Sequence, residues 1–166
     1  MKLNNITYSA ISLALIFVFF MTFRGALNIF NSILVPLVLY ITMRKYSPKE
    51  MIATFLAMIF LSGLFFLQQL FFAVLYGILA VLLMKVIQNT MSNFIRILIL
   101  SLGAFVGFIV VISLTDFVIG TQIMTALLSI AGGWYIGLFL IILLEAIFVG
   151  AVLTLLIPII EERIRS

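Results

Sequence analysis

The sequence predicts an all-α integral membrane protein with six transmembrane helices, both termini in the cytoplasm and a short interfacial segment before the last helix. Three observations predict it. Hydrophobic residues fill 66% of the 166 positions and charged residues only 8%, whereas a water-soluble domain is roughly a quarter charged. Apolar runs recur at close to the ~20 residues that cross a ~30 Å hydrocarbon core. The Lys and Arg residues interrupt those runs or stand beside their ends, where topology determinants belong.

The first span is expected from about Ile6 to Phe23, stopping at Arg24-Gly25; the polar start has one Lys2 and no small-residue cleavage site follows, so this helix is retained. A second span, Leu27 to Met43, carries Pro36, which membrane helices tolerate when neighbours satisfy the freed carbonyl. Arg44-Lys45 closes it. In Ser47-Pro48-Lys49-Glu50, Ser can cap, Pro fits the first helical position and Glu can reach back to the cap amide, so a third helix starts there.

Met51 to Met84 is almost wholly apolar, and as one helix it would extend roughly 50 Å. A hairpin is expected instead, of about Met51 to Leu67 and Leu70 to Met84, with its turn at the polar pair Gln68-Gln69. After the connector Lys85 to Asn93, a fifth span runs from Phe94 to about Leu114 and ends near Thr115-Asp116. Ile119 to Trp134, with its Thr, Gln, Ser and paired Gly residues, reads as a short interfacial or re-entrant helix anchored by Trp134 and Tyr135. The sixth span, Tyr135 to Ile160, ends at Glu161-Glu162-Arg163-Ile164-Arg165. This layout puts Lys2, Arg44, Lys45, Lys49, Lys85, Arg96, Arg163 and Arg165 in the cytoplasm and only Arg24 outside. The whole chain, 1–166, is one transmembrane domain with no room for a soluble one.

Composition also narrows the chemistry. With no Cys and no His, thiolate chemistry, disulfides, the commonest neutral metal ligand and the usual general base are all missing. No phosphate-binding lysine loop, metal-ligand cluster, Ser/Lys dyad or paired catalytic carboxylates appear, and Glu161 and Glu162 read as solvated flank. Neither enzyme activity, nor a cofactor, nor a metal is expected. The net charge of +4 is accounted for by cations at helix ends, so no nucleic-acid partner is expected either.

Glu145 is the sharpest single feature, about ten residues into the last helix, where an ionised carboxylate is costly unless paired or wetted. Arg24, Asp116, Gln68 and Gln69 fall at the outer ends of spans, where Arg can clamp an anion and amides can read neutral polar groups. Asn28 and Asn31, one turn apart, face the same rim, and Trp134 stands where a ring can close over a ligand. Each residue also has a structural reading, as interfacial anchor, ion-pair partner or packing contact. Small residues one turn apart, Ala10 and Ala14, Gly103 and Gly107, Ala146 and Gly150, open grooves for a neighbouring helix.

Thr7-Tyr8-Ser9-Ala10-Ile11-Ser12-Leu13-Ala14-Leu15 resembles the early Ala-x-x-x-Ala first helix of the substrate-binding S components of energy-coupling factor (ECF) vitamin transporters. Val35-Pro36-Leu37, the basic turn from Arg44 to Lys49 and the tight hairpin after it are similar as well. The resemblance implies six helices and capture of a vitamin or related micronutrient from outside a bacterial plasma membrane. It further implies that Ala10 and Ala14 contact a transmembrane scaffold subunit seated on two ABC ATPase subunits. The substrate is left open, because no signature of a named vitamin binder is matched. A second resemblance is to the rod-shape-determining MreD type of membrane scaffold, which organises cell-wall synthesis proteins; there an acidic residue usually marks the middle hairpin, where this chain has Gln68-Gln69. A small channel or holin-like oligomer is a third reading, with only Glu145 to supply a polar stripe.

Overall fold

Seven α-helices and no strand occur among the described residues, which in this computed structural model are 3–23, 28–44 and 46–165. The helices are α1 (Leu3–Thr22), α2 (Asn28–Met43), α3 (Pro48–Phe65), α4 (Leu70–Gln88), α5 (Asn93–Ile119), α6 (Ile123–Ile130) and α7 (Tyr135–Arg165). Five of them, α1, α3, α4, α5 and α7, are long and apolar enough to cross a membrane, and α2 is a shorter apolar helix of 16 residues. The chain is therefore an all-α protein of the multi-pass membrane type. It divides into two compact units, residues 1–85 and 86–166.

In the first unit α1 packs on α2 and α3. The buried face of α1 is Ser9, Ser12, Ile16 and Phe20, spaced three or four apart as one helical stripe requires. Its other face exposes Ile11, Val18 and Met21, which lipid accommodates at no cost. Although shorter than those five helices, α2 is the most enclosed, burying Asn31 through Ile33, Val35 through Leu37, Leu39, Tyr40, Thr42 and Met43. Pro36 lies inside it, tolerated as expected.

The start of α3 is built as the sequence predicts. The Glu50 carboxylate accepts from the Ser47 backbone amide at 3.0 Å and from the Ser47 hydroxyl at 3.1 Å, with Pro48 at the helix entrance. At the other end Phe66 leaves helical geometry with φ −140°, a 3-10 turn spans Leu67–Gln69, and α4 begins at Leu70. The hairpin thus turns at Gln68-Gln69. Gly77 of α4 lies flat against the ring of Phe55 in α3, and any β-carbon there would enter that ring. Glycine is what lets the two helices close.

In the second unit α5 lies along α7. The buried stripe of α5 runs Ser101, Ala104, Phe108, Val111 or Ile112, and Thr115; that of α7 runs Leu138, Ile142, Ala146, Val149, Leu153 and Ile157. Gly150 meets the Ser101 side chain and the Ile97 carbonyl, so the Ala146-x-x-x-Gly150 groove is filled by α5 of the same chain.

Three boundaries depart from the sequence reading. α4 does not stop at Met84 but runs to Gln88, so the first part of the expected connector from Lys85 to Asn93 is helical. α5 does not stop near Thr115-Asp116 but continues to Ile119, because the Thr115 hydroxyl donates to the Val111 carbonyl at 2.7 Å and is satisfied within the helix. α7 passes Pro158 and Glu161-Glu162 and reaches Arg165. The segment between them holds the short helix α6, followed by Gly132 and Gly133 at φ 67° and 81°, a reversal that side chains beyond glycine resist.

Candidate functional site

The end of α1, the start of α2 and the α3–α4 turn meet in a small polar cluster. Asn31, with no exposed surface, uses both amide hydrogens: Nδ2 donates to the Phe23 carbonyl at 2.7 Å and to Asn28 Oδ1 at 2.9 Å. The Gln69 Nε2 group donates to the same Asn28 Oδ1 at 3.2 Å. A backbone carbonyl can only accept, so Phe23 fixes which way the Asn31 amide points. That orientation makes Asn28 Oδ1 the acceptor for both amides and fills its two lone pairs.

Two acceptors are left over. Asn31 Oδ1 and Gln69 Oε1 are both buried and have no hydrogen-bond partner among the described residues. An orphaned buried acceptor costs about 1–3 kcal/mol, so a donor that reached either oxygen would be stabilising there.

Aromatic rings line the same end of the unit. Phe23 stacks against Phe30 at 5.3 Å, and Phe17 and Phe20 meet Phe66 at 5.2 and 6.0 Å. Buried Tyr76 lies 6.3 Å from Phe20 and 6.2 Å from Phe72 and accepts from Ser32 at 3.4 Å. These are ring-to-ring distances of attractive aromatic pairs.

Of the residues singled out in the sequence, Asn28 and Gln69 come together, and Asn31 joins them as the buried centre. Gln68 is exposed on the turn beside them. Arg24 lies outside the described residues. Asp116, Trp134 and Glu145 belong to the second unit. The Asp116 carboxylate is occupied: Oδ1 accepts from Thr121 and from the Ile123 amide at 2.9 Å, and Oδ2 from the Met124 amide at 2.8 Å. It holds the amino-terminal end of α6, a capping role. Trp134 is 73% exposed after the paired glycines, as an interfacial anchor would be. Glu145 is half-buried ten residues beyond the start of α7, ~15 Å along the axis from Trp134, so those two do not share a pocket. It has no hydrogen-bond or ion-pair partner among the described residues.

A second polar system, at the opposite end of the first unit, escaped the sequence reading. Asn5 Nδ2 donates to Glu50 at 3.0 Å, the Tyr46 hydroxyl donates to the Asn5 carbonyl at 2.9 Å, and Ser9 bridges Tyr46 and Thr54 at 2.9 and 3.0 Å. Ser12 and Thr42 share a bond of 2.6 Å. The available signal was the stripe Asn5, Ser9 and Ser12 at helical spacing in an otherwise apolar helix. Every one of these groups is mutually satisfied, so the network ties α1, α2 and α3 together. Ala10 and Ala14 lie on the exposed side of α1, away from that network. No family model matches the chain, and no curated protein or solved structure matches it either.

Proposed function

We propose that this chain is the membrane-embedded binding subunit of an ECF-type uptake system, taking a small molecule from outside a bacterial plasma membrane at the Asn28, Asn31 and Gln69 cluster. The observation that carries the reading is the pair of orphaned buried acceptors, Asn31 Oδ1 and Gln69 Oε1. They ask for a ligand with hydrogen-bond donors, and the surrounding rings favour one with a flat body. Exposed Gln68 stands at the rim, and the 3-10 turn is the segment that must shift to admit the ligand.

Six crossings with both ends inside complete the proposal. α2 extends ~24 Å, short of the bilayer core, but its enclosure by other helices removes the need to match lipid thickness. The exposed Ala10 and Ala14 surface supports docking of a transmembrane scaffold helix, with two ATPase subunits below it. The test is a pull-down from native membranes in mild detergent. ATP-hydrolysing subunits should co-purify and be lost in Ala14→Trp; recovery of cell-wall synthesis proteins in their place would favour the MreD-type scaffold.

A further inference from the structure

The end of α5, helix α6 and the start of α7 carry a surface that the uptake reading does not use. Phe117, Ile130, Trp134, Tyr135 and Ile136 are each two-thirds or more exposed there. They prolong the exposed faces of the two spans, since exposed Leu114 lies three residues before Phe117 on α5 and exposed Leu140 four after Ile136 on α7. α6 itself is two-sided. It packs on α5 and α7 with Ile123, Met124, Leu127 and Leu128 half-buried, while Thr125 and Ser129, one turn apart, form an exposed polar edge.

The segment is also short of free polar groups. No charged residue stands between Asp116 and Glu145, and both oxygens of the Asp116 carboxylate are taken by Thr121 and by the Ile123 and Met124 amides. The turn after α6 is closed in the same manner. The amides of Gly132, Gly133 and Trp134 donate to the carbonyls of Ser129, Leu128 and Ala131 at 3.1, 2.8 and 3.4 Å. Water would satisfy open turn amides and carry charge at no cost, whereas lipid does neither. Exposed apolar side chains, internally bonded turns and the loss of charge all point to lipid as what surrounds this end of the unit.

We propose that this surface seats α6 in the head-group layer of the bilayer, with Phe117, Ile130, Trp134, Tyr135 and Ile136 in the acyl chains just beneath and the Thr125 and Ser129 edge toward water. Trp and Tyr rings favour that boundary, and interfacial helices bury their apolar side ~5–10 Å into it. The occupant of the patch is lipid, continuous with the lipid along α5 and α7. No residue of the first unit enters the proposal, so it stands or falls independently of the uptake reading.

Trp134 is the one tryptophan of the chain, so its fluorescence reports this surface directly. The test reconstitutes the full chain in phosphatidylcholine vesicles whose acyl chains carry bromine either high, beside the glycerol, or near the chain ends. High bromine should quench most of the Trp134 emission and chain-end bromine less of it, while acrylamide in the water should quench it less than it quenches free tryptophanamide. Trp134→Phe combined with Thr125→Trp moves the probe to the polar edge and should reverse the preference, with acrylamide quenching strongly and bromine weakly. Should that double variant not fold, the unaltered chain still decides the matter. Strong acrylamide quenching of Trp134 without an effect of bromine would put the surface in water. Protection from both quenchers would mean that a second copy or another protein covers it, and bromine quenching as strong at position 125 as at 134 would remove the two-sided seating. Each of these three results overturns the proposal.

Discussion

Asn31 Nδ2 donates to the backbone carbonyl of Phe23 at 2.7 Å, tying the end of α1 to the start of α2. Replacing Asn31 by Leu removes this bond and leaves the carbonyl without its donor. A stability loss of about 1–3 kcal/mol is expected, read as a lowered unfolding midpoint in detergent; an unchanged midpoint would show that the bond is not made.

Gly150 fixes how closely α5 approaches α7. A methyl group there enters the Ser101 side chain, so Gly150→Ala should destabilise by about 1–3 kcal/mol and Gly150→Leu by more. Ser101→Gly in the Gly150→Ala background should recover part of that loss. A double-mutant cycle in thermal unfolding checks it, and strictly additive effects would contradict direct contact.

Asp116 is expected to act on α6 and not on ligand. Asp116→Ala should cost about 1 kcal/mol and raise hydrogen exchange at the Ile123 and Met124 amides while ligand retention stays intact. Slow exchange in the variant would remove the capping role.

The crossing pattern is open to labelling because the chain has no native cysteine. Single cysteines at Lys49 and Asn93 should react with an impermeant reagent only after the cytoplasmic face is opened, and one at Gln122 should react from outside. All three positions are exposed. Outside labelling at position 93 would break the hairpin topology.

Much of the helix order was legible because lipid forces long apolar runs and polar punctuation. Ser47 through Glu50 and the Gln68-Gln69 turn carry their own local chemistry, and the structure follows it. The end of α5 was not legible: Thr115 looks polar in sequence, yet its hydroxyl is satisfied by Val111 one turn back, so it does not end the helix. The candidate site was legible in its residue types and not in its grouping. Asp116 is as polar as Asn31, and only tertiary placement shows that one is occupied by a helix end while the other keeps an unused oxygen. Glu145 stood out by cost alone, which says nothing about its neighbours.

The most direct test of the uptake reading is mass spectrometry of small molecules released from the gently purified protein, compared with Asn31→Leu and Gln69→Leu. The account predicts a bound compound bearing hydrogen-bond donors in the unaltered chain, reduced at least tenfold in each folded variant, a loss of about 1.4 kcal/mol or more in binding. A chain that carries no small molecule under several growth conditions, or one whose compound is retained equally by both variants, would contradict it.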